Sequence, residues 1–269
     1  MAKKLALITN DDGLSKGLLI LIESAIAAGC NVVAVVPESQ QSAVGKKITY
    51  HKPLKLQKIR FHGHDIHLIS GTPADAIAVA INMKKFLPKK PDIVVAGINS
   101  GFNVSIHSIL SSGTVGAAIE GATYNIPSIA FSAMSKAKKW YSDDAWPQPE
   151  AMKKWTTYFI SQSLRHGLPS GCDVLNVNYP LKPATATCSV CVPQLQHFAI
   201  EIEEEKHMYA QTGYWIAGKG LAKAPAGQDV GELMKNRVVV TPLSLAMSEP
   251  SAILGLRSRY SGRKVSKLR

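Results

Sequence analysis

Four short polar clusters hold the residue types that could do chemistry: Asn10-Asp11-Asp12-Gly13, Glu38-Ser39-Gln40-Gln41-Ser42, Gly97-Ile98-Asn99-Ser100-Gly101 and Ser112-Gly113-Thr114. Two adjacent carboxylates, a hydroxyl and an amide carbonyl are hard oxygen donors. They suit Mg²⁺ or Mn²⁺, with waters completing an octahedron. Ser112-Gly113-Thr114 opens a helical pattern, and a helix N-terminus offers N–H groups and a positive dipole end to an anion, above all phosphate. A divalent metal beside a phosphate cradle describes hydrolysis of a phosphomonoester. The metal polarises a phosphoryl oxygen and lowers the pKa of its bound water, while amides and metal stabilise charge on the equatorial oxygens. Each cluster also has an ordinary reading. Asn-Asp-Asp-Gly is turn composition, Ser42 is a loop serine, Asn99 tolerates unusual backbone angles, and Ser112 or Thr114 caps a helix.

The elements that must position these clusters decide between the two readings. Leu5–Thr9 is a short apolar strand, followed by a helical pattern from Gly17 to Ala28 that Gly29 stops. Asn31–Val36 is a β-branched strand ending at Pro37, and Leu54–Phe61 with Ile66–Ile69 forms a hairpin around His62-Gly63-His64-Asp65. Thr72 is placed as an N-cap, with Pro73 in the first turn and Asp75 behind it, for a helix running to about Phe86. Asp92–Ala96 is a near-continuous apolar strand, Val115–Ala122 a small-residue helix and Ile126–Ser132 the next strand, with 104–111 read as loop. After a polar, aromatic loop from Trp140 to Pro149 come a helix from about Glu150 to His166, a strand at Val174–Asn178 and a late strand at Val238–Thr241. Strands alternating with helices give an α/β fold, a mostly parallel sheet covered on both faces. Ligands bind such sheets beyond the carboxyl ends of the strands, and all four clusters fall on that edge. The expected organisation is a catalytic core over 1–180, an extension over 181–254 that makes oligomer contacts and returns the 238–241 strand to the core, and a basic tail over 255–269.

The chain has 269 residues and a formal charge of +12, from 31 Lys+Arg against 19 Asp+Glu. Such a charge invites a nucleic-acid reading. Half of the excess, however, lies in the last fifteen residues, as Arg257, Arg259, Arg263, Lys264, Lys267 and Arg269. Lys136, Lys138 and Lys139 precede Trp140, Tyr141 and Trp146, which suits either a nucleic-acid surface or a packing lid. His62, His64 and His67 belong to a solvated hairpin, Asp143–Asp144 to a solvated loop, and His107 is a bystander or a proton-transfer aid. Cys188-Ser-Val-Cys191 has ligand spacing without a second pair to complete a zinc site, so the four cysteines are expected as reduced thiols. No stretch is long enough for a membrane span, and the Leu5–Ile8 run is too short for a signal peptide. Ser266-Lys267-Leu268 is not terminal. The expected location is cytoplasmic.

Several motifs, in this order, resemble the survival protein SurE family. They are Asn10-Asp11-Asp12-Gly13, Pro37 with Ser42, Gly71-Thr72-Pro73-Ala74-Asp75, Pro91-Asp92-Ile93-Val94-Val95 with Gly97-Ile98-Asn99, and Ser112-Gly113-Thr114-Val115-Gly116-Ala117-Ala118. Glu120-Gly121, Leu175-Asn176-Val177-Asn178 with Pro180, and Val240-Thr241-Pro242-Leu243 extend the resemblance over roughly residues 5–243. It implies a Rossmann-like core and a metal-dependent 5′/3′-nucleotidase acting on nucleoside monophosphates. It also implies C-terminal hairpin elements exchanged between the subunits of a homodimer or homotetramer. Its metal ligands map onto Asp11, Asp12, Ser42 and Asn99, with one Mg²⁺ or Mn²⁺ per subunit. Its phosphate segment maps onto Ser112, Gly113 and Thr114, and Asn10 takes the place of a catalytic asparagine beside Asp11 and Asp12. The sequence departs from the family twice. Leu14-Ser15-Lys16-Gly17 replaces a longer Ala-Pro-Gly-like step. Val104-Ser105-Ile106-His107-Ser108-Ile109-Leu110-Ser111 replaces a Gly-Asp-Asp-Val-like stretch with a tyrosine. Both lie near the mouth of the site, so they bear on substrate preference and rate.

Two alternatives stand beside this reading. A dinucleotide-binding domain fits the βα alternation, but two carboxylates follow the first strand where a Gly-x-Gly-x-x-Gly loop would stand. A basic nucleic-acid-binding protein, or a family member with altered catalysis, fits the charge and the changed 104–111 segment.

Overall fold

The computed structural model describes residues 3–135, 146, 148–195, 203–205, 208–210, 225 and 227–261. The 136–145 basic and aromatic segment, Glu201–Ile202 of the acidic run and the tail from 262 lie outside the described residues.

Alternation of strand and helix builds one sheet with helices on both faces. β1 (Lys4–Thr9) is buried over its last five residues. Its side chains alternate between two cores, with Ala6 and Ile8 in one and Leu7 in the other. α1 (Lys16–Ala27) starts where Ser15 Oγ accepts from the Leu18 N–H at 3.2 Å, and Gly29 follows its end at a φ of +86°. β2 (Cys30–Pro37), the hairpin β3 (Leu56–Phe61) and β4 (His64–Ile69), α2 (Pro73–Asn82) and β5 (Ile93–Ser100) follow. Next come α3 (Ser105–Ser111), α4 (Gly113–Thr123), β6 (Ser128–Ala133), α5 (Pro149–His166) and β7 (Val174–Tyr179). A 3₁₀ turn at Pro183–Thr185 leads to β8 (Cys188–Val190), and a ribbon of β9 (Glu203–Glu205) and β10 (Met208–Ala210) stands apart from the main sheet. α6 (Asp229–Met234), β11 (Val238–Leu243) and α7 (Pro250–Tyr260) complete the order.

The main sheet runs β3-β4-β2-β1-β5-β6-β7-β11-β8. Neighbours from β4 to β7 are parallel, while β3 opposes β4 and β11 opposes β7. β8 pairs parallel with β11 at the far edge. Residues of α1 and α5 pack in the core on one face, and residues of α2 and α4 in the core on the other. The polar ends of β1, β2 and β5 therefore emerge together at the carboxyl edge.

Four expectations are corrected. α2 ends at Asn82 and not near Phe86, because the chain turns at Met83 and lays Phe86 edge-on against His67, ring centroids 4.8 Å apart. β5 continues beyond Ala96 to Ser100 through a register shift against β6. Gly97 permits it: φ is +120°, and a Cβ there would lie 2.2 Å from the Phe131 carbonyl oxygen. The 104–111 segment is a helix, α3, and not a loop. His64 belongs to β4, leaving His62-Gly63 as the hairpin turn. α6 and α7 add two helices that the sequence pattern did not suggest. Among the described residues, no helix is long and apolar enough to cross a membrane.

Candidate active site

The turn after β1 is closed by its own side chains. Asn10, fully buried, donates Nδ2 to the Gly13 carbonyl at 2.7 Å and to Ser15 Oγ at 3.2 Å. Gly13 makes the turn at a φ of +70°. The next two residues are therefore pinned at the strand end. Asp11 accepts from the Thr114 N–H at 3.2 Å and from the Thr114 hydroxyl. Asp12 accepts from the Ser100 N–H at 2.9 Å, and Gln40 Nε2 approaches its other oxygen at 3.5 Å.

α4 comes this close to β1 because its first residue has no side chain. A Cβ on Gly113 would stand 2.9 Å from Asp11 Cβ and 3.1 Å from the Gln41 carbonyl oxygen. Ser112 Oγ accepts from the Val115 N–H at 3.1 Å, so this hydroxyl caps the helix. The loop holding Ser42 is fixed by several independent contacts. Gln41 N–H donates to the Asp11 carbonyl and Gly45 N–H to the Ser111 carbonyl, both at 2.8 Å. Gly45 sits on Gly116, where a Cβ would be 2.5 Å from the Gly45 oxygen, and Lys46 pairs with the buried Glu120. Farther along, Asp75 accepts from the N–H groups of Thr72 and Thr49 at 2.9 and 2.8 Å, and from the Thr49 hydroxyl at 2.7 Å. The Gly71–Asp75 motif thus anchors the far end of the Ser42 loop.

The structure joins all four clusters through Asp11 and Asp12. Ser42 is exposed at the loop, next to the Gln41 that touches Asp11. Asn99 is half-buried and donates Nδ2 to the Gly101 carbonyl at 2.8 Å, which assigns its oxygen to the other end of the amide. The sequence reading quoted Gln40 and Ser100 within its polar clusters without assigning either a contact, and missed Ser15 as a cap and the Lys46–Glu120 pair. Only Ser15 carried a signal, as a serine just ahead of a helical pattern.

Burial first, then the charge of Asp12, raises the Asp11 carboxyl from 3.8 to about 7, against the bonds from Thr114. Burial also raises Asp12. Asn10 Oδ1 is buried without a hydrogen-bond partner among the described residues. Adjacent desolvated carboxylates with an unsatisfied oxygen beside them fit a small divalent cation. Among the described residues, no three His, Cys, Asp or Glu side chains gather as a metal cluster, so hydroxyl and amide oxygens would have to complete the set.

His67 packs on Phe86 in the hairpin region. His107, in α3, donates its N–H to the Leu195 carbonyl at 3.2 Å. Cys188 is exposed and Cys191 buried, both as free thiols.

Residues 6–200 match the family described as Survival protein SurE. The chain is 35% identical over 255 residues to the 5′-nucleotidase SurE of Thermofilum pendens, covering 93% of this chain and 95% of that one. It is 38% identical over 249 residues to the 5′-nucleotidase SurE of Hyperthermus butylicus, covering 89% and 84%. Its fold is similar to the crystal structure of the SurE protein from Aquifex aeolicus, with a TM-score of 0.78 at 30% identity over 95% of this chain and 99% of that one. An Asn-Asp-Asp-Gly turn locked to a Ser-Gly-Thr helix start, carried on this fold and matched over this length, shows that the chain belongs to the survival protein SurE family.

Proposed function

We propose that the chain hydrolyses nucleoside monophosphates to nucleoside and phosphate, as a metal-dependent 5′-nucleotidase. The observation that carries this reading is the buried Asp11–Asp12 pair seated against the N-terminal turn of α4. Relatives named 5′-nucleotidase, matched over nearly the whole chain, support it.

Asp11, Asp12, Ser42 and Asn99 would hold Mg²⁺ or Mn²⁺. When bound, the ion supplies Lewis-acid polarisation of the phosphoryl group and a more acidic water. The chain's own residues orient the rest. Thr114 fixes the rotamer of Asp11, and the Ser100 N–H fixes Asp12. Ser112, Gly113 and Thr114 start α4; with the Ser112 N–H on Ser108, the Thr114 N–H on Asp11 and the Val115 N–H on Ser112 Oγ, the Gly113 N–H and the positive end of the helix would receive a phosphate oxygen. Asn10 holds the turn in register, with Oδ1 facing no hydrogen-bond partner among the described residues. When ionised, Asp11 and Asp12 oppose a phosphate in metal-free protein, and a bound cation would offset their charge.

We also infer a homodimer or homotetramer that uses the C-terminal extension. Val190, Val192 and Leu195 support it, being 72%, 64% and 77% exposed on and just beyond the edge strand β8.

A phosphate-release panel over nucleoside 5′- and 3′-monophosphates, with chelator and then with each metal restored, tests the activity. Metal-dependent release from a 5′-monophosphate is expected. Release from none of the panel under any metal overturns the reading.

A further inference from the structure

The departure from the family pattern at 104–111 is where the C-terminal part of the chain grips the site. α3 has no capping side chain of its own, since its N-cap is Val104. Asp229 takes that place from 124 residues away. It is fully buried, and its Oδ2 accepts from the Ser105 N–H at 2.7 Å. Its Oδ1 accepts from the N–H groups of Gln194 at 2.9 Å and Val230 at 2.8 Å. The next two N–H groups of α3 are received by the same region: Ile106 donates to the Gln194 carbonyl at 2.7 Å and His107 to the Leu195 carbonyl at 3.2 Å. An apolar contact doubles the polar one, because Val104 packs in a small core with Cys191, Val230, Leu233 and Val239. The other end of α3 runs directly into Ser112, whose N–H bonds the Ser108 carbonyl at 3.0 Å. Two residues later Thr114 holds Asp11.

We infer that Asp229 is a positioning residue for the reaction: its carboxylate locks the α6 and 194–195 segments to α3, and so sets the Ser112–Thr114 helix start against Asp11. As a catalytic device this rests on the phosphatase reading above. The grip itself does not. The carboxylate is needed because acceptors are required on both sides at once. An amide can accept on only one side, and its NH₂ then faces an N–H donor on the other. Asp229→Asn therefore keeps the shape and breaks the link. Small misplacements of oriented groups cost large factors in rate.

The experiment compares the full chain with Asp229→Asn and with Glu232→Gln. The latter disturbs the same helix, where Glu232 pairs with Lys235 and Arg237, but does not touch α3. Three quantities are read well below the melting temperature: kcat and KM for phosphate release, the inhibition constant of inorganic phosphate, and amide exchange across 101–116. In Asp229→Asn, kcat/KM should fall about tenfold or more, phosphate inhibition should weaken severalfold, and exchange over 105–112 should accelerate about tenfold. In Glu232→Gln all three should stay within about twofold. Unchanged phosphate inhibition and exchange in Asp229→Asn overturn the proposal, whatever its melting temperature. Should that variant not fold, exchange in the unmodified chain decides. Similar protection of the Ser105 and Gln194 amides supports the link, and loop-like exchange of Ser105 overturns it. If the unmodified chain releases no phosphate from any nucleotide, the phosphatase reading fails, while the exchange comparison still judges the grip.

Discussion

Burial and the neighbouring Asp12 raise the Asp11 carboxyl from 3.8 to about 7, and this has a thermodynamic consequence. A carboxyl raised on folding binds its proton more tightly in the folded chain. Its penalty is absent below about pH 3.8, grows as the pH climbs, and is complete above about pH 7. Metal-free protein should therefore lose stability over that window, by an amount of the order of a few kcal/mol. Asp11→Asn removes the charge and can still satisfy Thr114, its amide oxygen accepting from the Thr114 N–H while its NH₂ donates to the Thr114 hydroxyl oxygen. It should flatten the pH dependence, raise the metal-free melting temperature at pH 8 by a few degrees, and cut phosphate release by about two orders of magnitude or more. Calorimetric scans at pH 5.5 and 8 check this. Added Mn²⁺ should raise the melting temperature of the unmodified chain more at pH 8 than at pH 5.5, since its ligands must be deprotonated. A shift equal at both pH values, or one retained by Asp11→Asn, would show that the ion binds elsewhere. At this scale the sequence was informative because adjacency in the chain guarantees adjacency in space. Asp11 and Asp12 could be named from spacing alone. Gln40 and the Ser100 N–H could not, since only the fold brings them to Asp12.

Elements were legible where the residues that fix them are local. Thr72 as N-cap and Pro73 in the first turn were read directly, and the structure adds the Thr72–Asp75 capping box. α3 was missed because nothing in Ser105–Ser111 starts a helix; its first turn is satisfied by residues 194, 195 and 229. α2 was overextended because no Gly or Pro interrupts the chain between Asn82 and Phe86, Pro88 being the first breaker, while packing of Phe86 on His67 ends the helix sooner. The Gly71–Asp75 motif, known from the sequence only as part of a resemblance, acquires a physical role. Asp75, 2% exposed, ties the start of α2 to Thr49 and so to the loop that carries Ser42. Asp75→Ala would strand the Thr49 N–H and lose the reciprocal half of the capping box, the bond from the Thr72 N–H. The expected cost is about 2–4 kcal/mol, measurable by urea unfolding. Because the loop is also held by Gly45 and Lys46, the variant should stay folded and bind Mn²⁺ more weakly, by about tenfold. Unchanged metal affinity with lowered stability would mean that the Ser42 loop is set from its Gly45 end alone.

At the scale of the whole molecule, the alternation of strands and helices gave the parallel sheet and its ligand-bearing edge, but not the far side of that sheet. Val238–Thr241 is recognisable as a strand from its β-branched residues. Its antiparallel place beside β7, with β8 outside it, depends on pairings 50 to 69 residues apart that no local pattern encodes. Charge poses the remaining question at this scale. The chain carries a surplus of +12 beside its acidic pair, and nucleoside monophosphates are anions. Long-range attraction of this kind is felt across about 30 Å at 10 mM salt and only about 8 Å at 150 mM. Raising salt across that range should lower kcat/KM severalfold and leave kcat unchanged, because the field acts on encounter and not on the bound complex. Replacing Arg263, Lys264, Lys267 and Arg269 by Gln removes four of the surplus charges without altering any described element. The salt slope should become shallower and kcat should hold. A drop in kcat would place the tail in the reaction itself. Tight, steeply salt-dependent RNA or DNA binding that survives Asp11→Asn and vanishes with these four substitutions would instead give the tail a separate nucleic-acid role.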